Sequence, residues 1–301
     1  MAGVFVMGSI NQDFVLRVER RPGPGETVTD AELSLHPGGK GANQSAAAAL
    51  LGAEVAFLGR VGDDGLGEPL VRNLREKGVD AGLVERVAGR STGAAFITVT
   101  PDGENAITVA PGANRALLPP DVEAARERIA ASRVLVAQME IPRETVFRGV
   151  EVASEAGTRV LLNLAPPFEV PGELLGLLDP LVVNEHEAAF LLGEPVEGVE
   201  GALAAAPELL GLGARSAVIT LGPAGAVFAL EGRAEHASAP RVRAVDTTGA
   251  GDAFVGALAA RLAAGEALGE AVAYAVRAGA AAVTREGAQG ALPTPEVVEG
   301  L

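Results

Sequence analysis

The 301-residue sequence contains no cysteine, which excludes disulfides, thiolate metal sites and a cysteine nucleophile. It has no tryptophan and a single tyrosine, and only 3% of its residues are aromatic, so its interior has to be built from Ala, Val and Leu. Lysine is nearly missing too: among 24 basic residues only Lys40 and Lys77 are lysines. No stretch approaches 18 apolar residues free of Gly, Pro and charge, so no membrane-spanning helix is expected. The start, Met1 to Gly8, has no basic n-region and too short an apolar run for a signal peptide, and a cytoplasmic protein is expected. A net charge of −15 argues against nucleic acid or an acidic membrane as partner. A small anion could still bind wherever N–H donors, cations or metal gather locally.

What is present is alternation. Val4-Phe5-Val6-Met7 reads as a first strand, and 14–18, Thr27-Val28 and 32–35 as further short strands. An Ala-rich helix runs over 42–51, a strand over 55–58 and a helix through Lys77 to Gly78. The pieces 94–100 and 106–109 around Pro101-Asp102-Gly103 read as a hairpin. Helices at 120–131, 143–156, 185–192, 201–210, 251–264 and 267–283 then interleave with strands at 134–137, 160–163, 181–184, 217–220 and 226–229. This order predicts one α/β domain over 1–301, with a mainly parallel sheet covered by helices on both faces. Two β-only inserts, about 12–36 and 91–110, predict a small accessory sheet or lid.

Three segments carry chemistry. In Asp246-Thr247-Thr248-Gly249-Ala250-Gly251-Asp252, glycines let backbone N–H groups converge at a helix start, which suits a transferring phosphoryl group. Asp252 at its lip suits acceptance of a proton from an attacking hydroxyl. Taken alone, the segment reads equally well as a tight turn with a first-turn acid. In Gly38-Gly39-Lys40-Gly41-Ala42-Asn43-Gln44 the backbone can be approached closely and Asn43 can point back from the first helical turn. It is not a Walker A loop, and the first strand lacks a Gly-x-Gly-x-x-Gly, which removes the marker of a dinucleotide enzyme. Asn11 and Asp13, two apart after the first strand, face the same way and match a vicinal diol, though such a pair is often only a turn. The three histidines, His36, His186 and His236, lie in polar or turn-like surroundings and read as surface or structural residues, while Tyr274 could flank a base or simply pack.

In this order, with Gly8-Ser9-Ile10-Asn11, Pro24 to Val28, Gly62-Asp63-Asp64, Asn184-x-x-Glu187, Thr220-Leu221-Gly222 and Val283 to Gln289, these segments resemble the ribokinase (PfkB) family of carbohydrate kinases over nearly the whole chain. The resemblance implies ATP-dependent phosphorylation of ribose at its primary O5 hydroxyl. It places the sugar on Asn11, Asp13, Gly39, Lys40, Asn43 and Glu140, with Asp252 as base and Gly249, Ala250 and Gly251 as the anion hole. It places ATP and Mg²⁺ near Asn184 and Glu187, and the nucleotide along Thr220, Gly222, Gly225 and Gly251. A monovalent cation, usually K⁺, is implied at the Asp246 side chain and at the carbonyls of Thr248, Ala282, Arg285 and Gly287. Ala291 stands where a serine oxygen often contributes, which implies shallow activation. A homodimer through the lid is implied as well. Other acceptors stay open, namely fructose, deoxyribose, a fructose phosphate or a nucleoside, the last needing an aromatic wall for which Phe14 and Phe96 are the candidates. A sugar or nucleotide sensor without catalysis also stays open, although sensing has no need of Asp252.

Overall fold

The computed structural model describes residues 3–102 and 104–301; Met1 and Ala2 of the expected N-terminal segment, and Gly103 of the expected hairpin turn, lie outside the described residues. In chain order the strands are β1 (Gly3–Met7), β2 (Asn11–Arg17), β3 (Glu32–Gly38), β4 (Glu54–Gly62), β5 (Val79–Val87), β6 (Gly93–Val99) and β7 (Asn105–Ala110). They continue with β8 (Val134–Gln138), β9 (Arg159–Asn163), β10 (Leu181–Asn184), β11 (Ser216–Thr220), β12 (Ala226–Leu230) and β13 (Arg233–Ala237). The helices are α1 (Lys40–Leu50), α2 (Gly67–Glu76), α3 (Pro119–Ala124), α4 (Arg126–Ala130), α5 (Arg143–Glu155) and α6 (Gly172–Leu175). After them come α7 (Glu185–Leu192), α8 (Gly198–Gly211), α9 (Ala250–Ala264), α10 (Leu268–Ala282) and α11 (Pro295–Glu299).

Nine strands form one sheet in the order β13-β12-β11-β10-β9-β8-β1-β4-β5. From β5 to β11 the pairings are parallel, and β12 and β13 close one edge antiparallel. Pleating sends alternate side chains to opposite faces. Val4 and Val6 of β1 join the core beneath α1, α2, α9 and α10, whereas Phe5 and Met7 join the one beneath α5 and α8. Because the central strands are covered on both faces, they read as short apolar runs and were the ones easily seen in the sequence. The polar-alternating edge strands β5 and β13 carry no such signal and were missed. Thr27-Val28 forms no strand: it lies in an irregular stretch from 18 to 31, where Pro22 and Pro24 lack N–H donors and Glu26 pairs with Arg20. The stretch around Val242 and Val245, which leads into the 246–252 loop, is likewise irregular.

The other four strands form a separate sheet, β3-β2-β6-β7, with β2 and β6 parallel and the outer pairs antiparallel. Its strands begin and end within two residues of the two predicted β-only inserts. It grows directly from the carboxyl end of β1 and so stands over the edge where the parallel strands terminate. Ligands of open α/β sheets bind at that edge.

Two helix starts meet there. Helix α9 is buried almost all round, as expected of a central helix composed of Ala, Val, Phe and Leu. It crosses α1 closely at Gly256, where a Cβ would come within 2.6 Å of the Gln44 carbonyl oxygen. That contact sets the first turns of α1 and α9 side by side, Asn43 and Gln44 against Asp252.

Candidate active site

Gly249 is the residue before α9 and has φ +76°, a left-handed conformation that an L side chain adopts only under strain. It reverses the chain so that the amides of Gly251 and Asp252 fall in the first helical turn, where no i−4 carbonyl of the helix is available. Gly251 is different. Its φ is not positive, and a Cβ there would meet no protein atom within 4 Å, so neither backbone conformation nor internal packing calls for glycine. A bare backbone at this point keeps the helix start open to approach from outside, as an anion site requires.

Asp252 is only 8% exposed, and both its oxygens are held by the GGKGANQ segment. Asn43 Nδ2 donates to Oδ2 at 2.8 Å and Gln44 Nε2 to Oδ1 at 2.9 Å. Glu140 follows β8, and its Oε2 accepts from Ser9 Oγ at 2.6 Å and from the Lys40 N–H at 3.2 Å. In the sequence Glu140 could be read only as an acid at a strand end; the structure ties it to both the β1 end and the α1 start.

Asn11 and Asp13 share one face of β2, in the small sheet rather than at the end of β1 itself. Burial, and then the negative charges of Glu140 and Asp252, push the Asp13 pKa up to about 7 against the pull of Lys40. Lys40 is shifted upward, chiefly by Asp252, with Glu140, Glu187 and Asp13 adding to it despite burial. The carboxyl groups of Asp13, Glu140 and Asp252 beside the Lys40 ammonium suit an uncharged polyol, whose hydroxyls they can hydrogen-bond. Phe14 and Phe96, weighed as a wall for a nucleoside base, stack on each other at 5.1 Å between centroids. They pair across the β2–β6 register on the face opposite Asp13, so they do not line this site.

Asn184 and Thr220 are register partners at the carboxyl ends of β10 and β11. Asn184 caps α7, its Oδ1 accepting from the Glu187 N–H at 2.8 Å while Glu187 Oε2 accepts from the Asn184 N–H at 2.8 Å. Glu187 is buried, which raises its pKa, and its charge reaches Lys40. The pair is therefore a helix cap and part of the same electrostatic site. Gly222 and Gly225 flank a short 3-10 turn after β11. Among the described residues no cluster of three His, Asp or Glu could hold a metal.

At the other end of the loop, Asp246 Oδ1 accepts from the Thr248 N–H at 2.9 Å and Oδ2 from the Gly287 N–H at 2.8 Å. Burial pushes its pKa up, but these hydrogen bonds outweigh it and hold the carboxyl below its ordinary range. The Val283 carbonyl accepts from the Val245 N–H at 2.7 Å, bringing the end of α10, with Ala282 and Arg285 nearby in the chain, against the start of the loop. Ala291 is buried and offers only a methyl group. A cleft of about 470 Å³ runs between the small sheet and these loops, lined among others by Asp13, His36, Asp246, Thr248 and Gly287.

His36 lines that cleft with its Nε2 3.0 Å from Ser34 Oγ, whereas His236 lies 2.7 Å from the Ala224 carbonyl, outside it. Tyr274 packs within the helical layer, with the Arg261 guanidinium 4.5 Å and that of Arg277 5.7 Å from its ring centroid.

Several buried polar residues of the site escaped the sequence reading. Asn114, in the 3-10 turn Gly112–Ala116, donates to Asn11 Oδ1 at 2.8 Å and exchanges hydrogen bonds with the Ile10 backbone. No pattern around it signals this. Gln138 Nε2 donates to Gln44 Oε1 at 2.6 Å, and Gln44 Nε2 also reaches Asn163 Oδ1 at 2.9 Å. Here a signal existed: Gln138 and Asn163 are polar residues ending otherwise apolar strands, in register with each other.

Residues 1–295 match the model of the pfkB family of carbohydrate kinases. The chain is 37% identical over 298 residues to a ribokinase of Staphylococcus aureus, covering 98% of each. It is 38% identical over 310 residues to a ribokinase of Schizosaccharomyces pombe, covering 100% of this chain and 98% of the relative. A ribokinase of Arabidopsis thaliana, solved with ribose and ATP, superposes with a TM-score of 0.92 at 31% identity, covering 99% of this chain and 97% of the other. A family match along almost the whole chain, with relatives of 37–38% identity covered nearly end to end, leads to one conclusion: the chain belongs to the pfkB family of carbohydrate kinases.

Proposed function

We propose that the protein transfers the γ-phosphoryl group of ATP to the primary O5 hydroxyl of ribose, giving ribose 5-phosphate and ADP. The observation that carries this is Asp252: a buried carboxylate on the first turn of α9, both oxygens held by Asn43 and Gln44, facing the Asp13–Lys40–Glu140 cluster. The nearly full-length similarity to ribokinases supports ribose as the acceptor.

In this reading Asn11, Asp13, Gly39, Lys40, Asn43 and Glu140 hold the sugar. Its O5 attacks the γ-phosphorus in line, the bond from phosphorus to the ADP oxygen breaks, and Asp252 takes the hydroxyl proton. A carboxylate is a far weaker base than an alkoxide, so the proton moves late, once the new P–O bond is forming. The Gly249–Ala250–Gly251 backbone stabilises the charge on the transferring group. The nucleotide lies along Thr220, Gly222 and Gly225, with its phosphates near Asn184 and Glu187.

For Mg²⁺ the donors fit through water: one carboxylate, Glu187, and one amide, Asn184, suffice for an ion that arrives with phosphates rather than in a protein cage. Bound there, it would neutralise phosphate charge. For K⁺ the donor chemistry fits as well, with the Asp246 carboxylate and the carbonyls of Thr248, Ala282, Arg285 and Gly287, and Ala291 supplying no side-chain oxygen. The small sheet acts as a lid over the cleft. Its outer face presents Leu33, Leu35 and Phe96 at 56%, 50% and 45% exposure beside Phe14, and a second copy pairing through this face would cover them.

The test is a coupled assay of ADP release across ribose, deoxyribose, fructose, adenosine and fructose 6-phosphate. Ribose should give the highest kcat/KM. Failure of ribose alongside turnover of another acceptor would overturn the substrate while leaving the kinase.

A further inference from the structure

Of three consecutive residues after α10, two touch the 246–252 loop and the third reaches it through Asn43. The Gly287 N–H donates to Asp246 at its start. Ala288 packs on its middle, where a Cβ on Gly249 would lie 2.9 Å from the Ala288 Cα. The Gln289 side chain reaches its end through one intermediary, donating from Nε2 to Asn43 Oδ1 at 2.9 Å, while Asn43 donates to Asp252. The segment is itself pinned to α2: Asn73 Nδ2 donates to Gln289 Oε1 at 2.6 Å and Lys77 Nζ to the Gln289 carbonyl at 3.3 Å.

The direction of these amides follows from charge. An ionised carboxylate only accepts, so Asn43 must turn its NH₂ towards Asp252. Its oxygen then faces the other way and needs a donor, because a buried carbonyl without one is costly. Gln289, only 3% exposed, is that donor, and its own oxygen is satisfied by Asn73. Asn73, Gln289, Asn43 and Asp252 thus form one chain of hydrogen bonds all pointing at the carboxylate. A second arm, Gln138 to Gln44 to Asp252, reaches the other oxygen.

We propose that Gln289 is a positioning residue: it fixes the Asn43 amide and, through it, the Asp252 carboxylate relative to the acceptor hydroxyl. It thereby couples the 287–289 brace to the reacting end of the anion loop. This rests on Asp252 being the base. The neighbouring Lys77 holds the brace from outside the site and touches no reacting group.

The experiment is a double-mutant cycle of Gln289→Met, close in shape but without polar groups, with Asn43→Ala. A loosened base should lower kcat by about 10-fold or more and raise the KM for ribose. The KM for ATP should stay unchanged. In the Asn43→Ala background Gln289→Met should cost less than about twofold, because partners in one network are not additive. Equal costs in both backgrounds would overturn the proposal, as would a lowered Tm with kcat and ribose KM untouched. Should Gln289→Met not fold, Asn73→Ala removes the far end of the same chain. It should give a smaller loss that also vanishes with Asn43→Ala, and persistence there would be equally fatal. Asp252→Asn is measured in parallel: an active protein would remove the base itself, an outcome that does not depend on the cycle.

Discussion

Asp13 offers a stability test that needs no substrate. Its pKa stands at about 7 in the fold against the ordinary 3.8, because it is buried and shares its site with Glu140 and Asp252. Between those two values the native state holds more protons than the unfolded chain, so stability falls as pH rises through this window. At 1.36 kcal/mol per pK unit the full effect is about 4 kcal/mol, reached above pH 7. Relaxation and water entry in a polar site reduce this to about 2 kcal/mol. Asp13→Asn removes the charge, and at pH 8 it should raise Tm by about 4–8 °C at ~2–4 °C per kcal/mol. At pH 5 about a third of the window between the two pKa values has been crossed, so the variant should gain only about a third as much as at pH 8. Thermal melts at both pH values, without ligand, decide it. A variant less stable than the parent at pH 8, or equally stabilised at pH 5, would refute the reasoning.

The remaining predictions concern the loop, the cation and the sheet. Gly251→Ala should keep Tm within about 2 °C, since its Cβ meets no protein atom, yet lower kcat about 100-fold by obstructing the anion site; Gly249→Ala should instead destabilise the fold, as its φ of +76° and the Ala288 contact require. Activation by K⁺ over a bulky organic cation should be shallow in the parent and deeper in Ala291→Ser, and identical rates in both salts for both proteins would contradict the cation site. The parent should run as a dimer in light scattering at micromolar concentration and Leu35→Glu as a monomer; a monomeric parent would contradict pairing through the small sheet.

How much was legible in the sequence depended on which physical cause was local. The central strands announce themselves because burial on both faces demands unbroken apolar runs, and Val134-Leu135-Val136-Ala137 is one such run. The turn into α9 was legible because the reversal at Gly249 needs glycine within a short span. The edge strands β5 and β13 answer to a neighbour on one side only, and their polar residues hide them. The polar cluster around Asp252 depends on distant contacts: Ser9 to Glu140 spans 131 residues and Gln289 to Asn43 spans 246. No local pattern encodes such pairs. Gln44 and Gln289 sat inside recognised motifs, yet their part in holding Asp252 emerged only when α1 and α9 were seen to cross at Gly256.

Single-turnover transfer from ATP to ribose by Asp252→Asn tests most directly whether Asp252 takes the proton from the acceptor hydroxyl. The asparagine variant keeps the shape of the helix start and should bind both substrates with affinities near the parent's, while phosphoryl transfer slows by ~10²–10⁴-fold. Transfer at close to the parental rate with both substrates bound would contradict the account.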